Sequence, residues 1–232
     1  MELYSNLFNA QVWINKGELI MYKGIIFDLD GVIVFTDKFH YQAWKAVADE
    51  MGIYFDEEIN HRLRGVSRMD SLDIILEKYE GVPLSQEEKN AIAEKKNNIY
   101  RELLQTMSPA DVTDEVRDTL KELRNRGIKI SLGSSSKNAK FILEKVELID
   151  LFDAISDGTN ITKSKPDPEV FIKGAEFLGL EPKDCVVVED ADAGIEAAVA
   201  GGMHPAGIGE ARDYVKTEYK LDTFSDLLKI FE

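Results

Sequence analysis

Two aspartates two residues apart, Asp28 and Asp30, close a short apolar run and are followed at once by Gly31. On an extended backbone that spacing puts both carboxylates on the same side of the chain. Crowded carboxylates repel, and a shared proton or a cation relieves the repulsion. A second acidic pair, Glu189-Asp190, and a hydroxyl cluster, Ser134-Ser135-Ser136, also end apolar runs; Lys165 stands in Lys163-Ser164-Lys165-Pro166-Asp167-Pro168, just before a helical segment. An all-oxygen donor set of this size suits Mg²⁺, which takes a few carboxylates, water and a phosphate. Singly, each feature is weak. Asp-x-Asp-Gly also reads as a turn held by Asx hydrogen bonds, and Glu189-Asp190 as a loop with a helix cap at Asp190 or Asp192. Ser134 also reads as a turn or cap serine, and Lys165 as a solvated charge. Their force lies in their order, each at the end of a predicted strand or in the loop where a phosphate would lie.

The elements that must hold these groups show a change of rhythm. Gly24 to Phe27 reads as a buried strand. Helical stretches follow with no strand between them. Residues 38–51 put Phe39, Ala43, Trp44, Val47 and Met51 on one face, and 68–79 do the same with Leu72, Ile75, Leu76 and Tyr79. Ser85 with Glu88 forms a capping box, opening a helix that carries Ile92, Ile99 and Leu103. Ser108-Pro109-Ala110-Asp111 breaks the pattern, and alternation begins. A helix through Val116, Leu120 and Leu123 ends at Gly127. Strands at 128–132, 152–155, 185–188 and 205–208 then alternate with helices at 137–146, 168–178 and 195–200. This implies an α/β fold with a doubly wound, mostly parallel, Rossmann-like sheet and right-handed crossovers. The helical block is too long for a crossover, so it reads as an inserted all-helical domain. The boundaries are residues 21–35 and 113–232 for the α/β core and 36–112 for the insert. Residues 1–20 precede Met21 and are expected to be an extension outside the fold, with an extra helix packed on the core as the alternative. In an open parallel sheet ligands sit beyond the carboxyl ends of the strands, where all the groups above converge.

Composition narrows the function classes. The chain has 232 residues, with 28 basic and 43 acidic side chains for a net charge of −15. So acidic a surface disfavours nucleic acid and anionic membranes. About 44 % of residues are apolar, too many for a disordered chain. No apolar run approaches the length of a membrane span, and the N-terminus is a poor signal peptide. The lone cysteine, Cys185, excludes an internal disulfide and fits a cytoplasmic location; packing is its simplest role.

Asp28-Leu29-Asp30-Gly31-Val32-Ile33, Ser134, Lys165-Pro166-Asp167-Pro168 and Glu189-Asp190 with Ala193-Gly194-Ile195 together resemble the haloacid dehalogenase (HAD) superfamily, over residues 22–210. The helical insert resembles its cap of the first type. Thr36, His40, Trp44, Lys45, the run Leu63-Arg64-Gly65-Val66-Ser67-Arg68 with Ser71, Lys96-Asn97 and Ser134 to Asn138 resemble the sugar-phosphate mutases of that superfamily. The resemblance implies that Asp28 is the nucleophile that becomes an aspartyl phosphate and Asp30 the general acid and base. It implies Mg²⁺ on Asp28, the backbone carbonyl of Asp30, Glu189 and Asp190. Lys165 and Ser134 would hold the transferring phosphoryl oxygens. Thr36, His40, Trp44, Lys45, Gly65, Val66, Ser67, Arg68, Ser71, Lys96, Ser135, Ser136, Lys137 and Asn138 would bind substrate. The implied reaction interconverts β-D-glucose 1-phosphate and glucose 6-phosphate through β-glucose 1,6-bisphosphate, which also serves as primer. The only expected partner is the sugar phosphate, and the protein is expected to act as a monomer.

Arg68 on a glycine-containing loop offers a fork suited to a second phosphate; alone it reads as a surface salt bridge. His40 lies four residues from both Thr36 and Trp44, so the three share a helix face. The resemblance gives His40 a place near Asp30, coupling cap closure to the acid–base residue. One departure stands out: the superfamily usually has an acidic residue before the threonine, and this chain has Phe35. Two other readings remain, a sugar-phosphate phosphatase of the same superfamily and a binding protein with a retired active site.

Overall fold

The computed structural model describes residues 14–15, 18–19, 22–63 and 66–232. The expected extension, 1–20, lies outside the described residues apart from a two-residue antiparallel pairing of β1 (Ile14–Asn15) with β2 (Glu18–Leu19).

Six parallel strands form the sheet: β3 (Gly24–Phe27), β4 (Lys129–Gly133), β5 (Ala154–Ser156), β6 (Cys185–Glu189), β7 (His204–Gly207) and β8 (Tyr219–Lys220), in the order β5-β4-β3-β6-β7-β8. The chain runs outward from β3 through β4 to β5, then crosses back to β6 on the other side of β3. That reversal puts a crevice at the carboxyl ends of β3 and β6. Successive side chains of a strand point to opposite faces, and both faces are buried. Ile25 and Phe27 join Ile130, Leu132, Val186 and Val188 in one cluster, closed by α5 (Asp114–Asn125), α6 (Ala139–Lys145) and a C-terminal 3₁₀ turn, Phe224–Lys229. Ile26, Cys185 and Val187 face the other way, under Val170 and Phe171 of α7 (Glu169–Leu178) and Ala197 and Ala198 of α8 (Asp192–Ala200). Burial pushes the Cys185 thiol up to about 12, so it packs as a small apolar group.

Four helices follow β3: α1 (Asp37–Glu50), α2 (Glu57–His61), α3 (Arg68–Leu76) and α4 (Gln86–Leu104). The Ser85–Glu88 capping box forms with both reciprocal bonds, at 3.3 and 2.7 Å. Trp44, Ala48, Ile53, Phe55, Leu72, Ile75 and Ala93 make a separate apolar cluster. The near ends of α1 and α4 (Phe39, Ala43, Tyr100, Leu104) belong instead to the core cluster. These two long helices therefore span the junction between helical block and sheet.

Three details differ from the sequence reading. The buried row of α4 is Ala93, Lys96, Tyr100 and Leu104, with Ile92, Ile99 and Leu103 at its margin. The expected 152–155 strand is Ala154–Ser156, because Ile149–Leu151 is taken up by a 3₁₀ turn. The two-residue β8 is too short to show an apolar pattern in the sequence; Leu221, Phe224 and Leu227 beyond it are buried against the core. Among the described residues no helix is long and apolar enough to cross a membrane.

Candidate active site

Asp28 extends β3 by one residue, its N–H donating to the Val188 carbonyl at 2.9 Å. The chain then turns sharply: Ile33 and Val34 both donate to the Leu29 carbonyl, and Gly31 donates to that of Val34 at 2.7 Å. Gly31 has φ +86°, and a Cβ there would overlap the Asp190 carboxylate. Gly194 is needed for the same reason, because a Cβ on it would overlap the Glu189 side chain. Two glycines thus let the backbone close around the two acidic residues that end β6.

The carboxylates at the ends of β3 and β6 meet Lys165 of the loop before α7. Lys165 Nζ donates to Asp28 Oδ1 at 2.5 Å and to Glu189 Oε1. The second Glu189 oxygen accepts from the N–H groups of Asp190 and Ala191 at 3.0 and 3.1 Å. Oxygens of Asp28, Glu189 and Asp190 lie within 4.8 Å of one another. Burial, then repulsion from Asp28 and Glu189, pushes Asp190 up to about 8. Burial also raises Glu189. Lys165 is buried as well, which works against its charge, but Asp28 and Glu189 outweigh that and hold it above the ordinary lysine range. One lysine does not neutralise three clustered carboxylates, so this all-oxygen set fits a hard divalent cation such as Mg²⁺.

Ser134 follows β4 and is buried; its N–H donates to the Ser156 carbonyl, and its hydroxyl oxygen accepts from Ser136 N–H at 3.1 Å. The hydroxyl proton therefore remains to be donated. Ser136 Oγ accepts from Asn138 N–H at 3.2 Å, so the serine run winds into α6 by successive side-chain turns. Ser135 Oγ is buried without a partner, and Lys137 is exposed.

On the helical side, Thr36 is fully buried and its hydroxyl donates to Asp30 Oδ1. Burial first, then the Asp28 charge, pushes Asp30 up to about 6. Behind this pair lie four groups from α1 and α4, His40, Trp44, Lys96 and Tyr100. Lys96 Nζ sits 2.8 Å from His40 Nδ1, and over the rings of Trp44 and Tyr100 at 5.0 and 4.6 Å. The His40 and Tyr100 rings are 4.2 Å apart. Burial, then the Arg68 charge, takes Lys96 down to about 7, with Asp30 opposing. Burial and the charges of Lys96 and Arg68 hold His40 well below its usual value, so the imidazole is neutral and its Nδ1 accepts. Arg68, at the start of α3, donates through Nη2 to Asn97 Oδ1 at 2.8 Å, and Asn138 Nδ2 donates to the same oxygen at 3.0 Å.

The structure thus brings Asp28, Lys165, Glu189 and Asp190 into one cluster, and Asp30, Thr36, His40, Trp44 and Lys96 into another beside it. Ser67 caps α3, exchanging bonds with Asp70. Val66 is half-buried just before it, and Ser71 is buried one turn on. Gly65 lies outside the described residues. Lys45 is not brought to the group; it pairs with Asp49 one helical turn away at 2.5 Å. Tyr100, unremarked in the sequence, is buried against His40 and Lys96; its signal was the four-residue step from Lys96 on one helix face. Two clefts share the lining residues His61 and Glu210, which are 4.0 Å apart. One, of about 400 Å³, also includes Asp37, Tyr41 and Asn60, and the other, of about 280 Å³, reaches Asp190.

Known proteins are similar to this chain in sequence and fold. A family model for haloacid dehalogenase-like hydrolases matches residues 22–202. The chain is 40 % identical over 211 residues to the β-phosphoglucomutase of Bacillus subtilis, covering 88 % of this chain and 91 % of that protein. It is 31 % identical over 184 residues to a phosphorylated carbohydrates phosphatase of Thermotoga maritima, covering 78 % of this chain and 82 % of that one. The crystal structure of a β-phosphoglucomutase from Clostridium difficile superposes with a TM-score of 0.83 at 38 % identity, over 89 % of this chain and 93 % of that one.

Proposed function

The chain belongs to the haloacid dehalogenase-like hydrolase family, and within it we propose that this protein is a Mg²⁺-dependent phosphosugar mutase interconverting β-D-glucose 1-phosphate and glucose 6-phosphate. The observation that carries this reading is the cationic group facing the carboxylate cluster. A phosphatase needs to grip one phosphate. A mutase must also hold a second while a bisphosphate turns end for end. Among the described residues neither Arg68 nor Lys96 makes an ion pair, and Asn138 stands across from them at the core edge. The 40 % identity to a β-phosphoglucomutase points the same way.

In this reading Asp28 attacks a phosphoryl group of β-glucose 1,6-bisphosphate. Its oxygen–phosphorus bond forms as the phosphorus–sugar oxygen bond breaks, and Asp30 gives its proton to the leaving oxygen. In the reverse half the sugar hydroxyl attacks the aspartyl phosphate, Asp30 takes its proton and Asp28 is freed. Lys165 and the Ser134 hydroxyl bind the non-bridging oxygens, where positioning and charge neutralisation dominate. Asp28, Glu189, Asp190 and the Asp30 carbonyl would hold Mg²⁺, which offsets phosphoryl charge. An Asp30 held near 6 suits a group that must both give and take a proton close to neutrality. Thr36 restrains Asp30 at the junction of α1 and the core, so a hinge movement of residues 36–112 as a cap would reach the acid–base group directly.

The test follows glucose 6-phosphate formation from β-glucose 1-phosphate with Mg²⁺ and bisphosphate primer, coupled to a dehydrogenase. Turnover supports the proposal, and no turnover with both present overturns it. The phosphatase relative from Thermotoga maritima sets the alternative, which would release inorganic phosphate instead.

A further inference from the structure

Asn97 sits on α4 next to Lys96, and its carbonyl oxygen takes two hydrogen bonds from opposite sides of the cleft. Arg68 Nη2 reaches it from α3 at 2.8 Å, and Asn138 Nδ2 from the start of α6 at 3.0 Å. The assignment of atoms is unambiguous. Arginine only donates, so the oxygen of Asn97 faces it, and the group of Asn138 on that oxygen must be its NH₂. Residues 97 and 138 belong to the helical block and the α/β core respectively. Asn138 is buried, which shields the bond from competing water. Among the described residues other polar contacts also cross this boundary: Thr36 to Asp30 at the hinge, and the more exposed Arg117 to the Pro109 carbonyl at 2.6 Å, His61 to Glu210 at 4.0 Å and Lys145 to the Gln105 carbonyl at 3.3 Å.

We propose that Asn97 is a positioning residue that latches the helical block onto the core and pre-sets the second phosphate subsite before substrate arrives. The role in phosphate binding rests on the mutase reading; the latch itself does not. The guanidinium has five N–H donors and Asn97 occupies one; the Asn138 amide has two and Asn97 occupies one. The bridge therefore orients both side chains toward a common point while leaving donors for a phosphate. Burial holds Arg68 below the usual arginine range, so its charge is poorly solvated and favours an anion over water. Preorganising two donors on opposite walls removes part of the ordering cost of binding.

The test compares the full chain with Asn97→Ala and Asn97→Asp. Asn97→Ala removes the acceptor; Asn97→Asp keeps an acceptor of the same size. X-ray scattering of the unliganded proteins should show an expanded Asn97→Ala and a compact Asn97→Asp, close to the unaltered chain. In the mutase assay Asn97→Ala should raise KM about tenfold, the loss of roughly one hydrogen bond to a charged group, with kcat falling less. An Asn97→Ala variant with unchanged radius overturns the latch, and one with unchanged KM overturns the part in phosphate binding. An Asn97→Asp as expanded as Asn97→Ala also overturns the latch, since the bridge would then not depend on the acceptor. The scattering comparison uses no substrate, so it decides the latch even if the chain makes no glucose 6-phosphate.

Discussion

The two charged clusters of this molecule are built on opposite principles. In the core, Asp28, Lys165, Glu189 and Asp190 stand at the ends of parallel strands, with bonds to one another and to backbone N–H groups. On the helical side, Arg68 and Lys96 rest on aromatic faces and amides, with no carboxylate of their own among the described residues. The first cluster has excess negative charge and calls for a cation. The second has buried positive charge and calls for an anion. On the proposed reading, a sugar carrying phosphate at both ends, with Mg²⁺ at one of them, answers both needs. The strands fix the first cluster rigidly. The second sits on helices whose far ends pack in a separate apolar cluster and whose near ends join the core cluster, with the Asn97–Asn138 bond across the junction.

Four measurements break or sharpen this contrast. Asp28→Asn should abolish phosphoryl transfer, a loss of about 10⁴-fold or more in kcat, because nothing else in the core cluster replaces a nucleophile. Activity within a factor of ten of the unaltered protein would move the chemistry elsewhere. Lys165→Ala should cost about 10²- to 10³-fold in rate, and about 3–5 kcal/mol of stability in chelator, since two buried carboxylates lose their partner. Unfolding in urea checks the second part, and an unchanged midpoint would count against the tight core pairing. Arg68→Ala should lower mutase flux about 10²-fold through loss of a charge-assisted phosphate contact. Its hydrolysis of p-nitrophenyl phosphate, which has no second phosphate, should fall far less; equal losses would erase the division between the clusters.

The smallest effect is on stability against pH. Asp30 and Asp190 have folded values of about 6 and about 8 against 3.8 unfolded. The folded chain therefore binds more protons, and this contribution weakens stability as pH rises from about 4 to about 8. Lys96 has a folded value of about 7 against 10.5, so its contribution recovers stability from about 7 upward. Metal-free protein should be least stable near pH 7 to 8, and Mg²⁺ should lift that minimum by binding the folded state. Thermal melts in chelator and in Mg²⁺ across this range check it; stability rising steadily from pH 5 to 8 in chelator would contradict it.

The core cluster was legible in the sequence because its logic is local. Each of its side chains ends or follows a buried run, and the order of the runs gives the sheet edge. The helical side was harder to read. Ile92, Ile99 and Leu103 mark α4 as a helix in the sequence, yet the row that is buried runs through a lysine and a tyrosine. Apolar pattern alone cannot announce a buried lysine, whose charge is carried by Trp44, Tyr100 and His40 from other turns and another helix. Lys45 shows the reverse. Its type suited a phosphate, but an i, i+4 partner, Asp49, holds it. The bridge through Asn97 joins residues 29 and 41 positions apart, and no spacing rule relates them.

The central claim is that two phosphate sites, one in each cluster, serve a transfer rather than a hydrolysis. It is tested by the ratio of glucose 6-phosphate formed to inorganic phosphate released from β-glucose 1-phosphate in one vessel, with Mg²⁺ and bisphosphate primer, for the unaltered protein and for Arg68→Ala. The account predicts a ratio far above one that collapses when Arg68 is lost. Phosphate released without glucose 6-phosphate, or a ratio indifferent to Arg68, would contradict it.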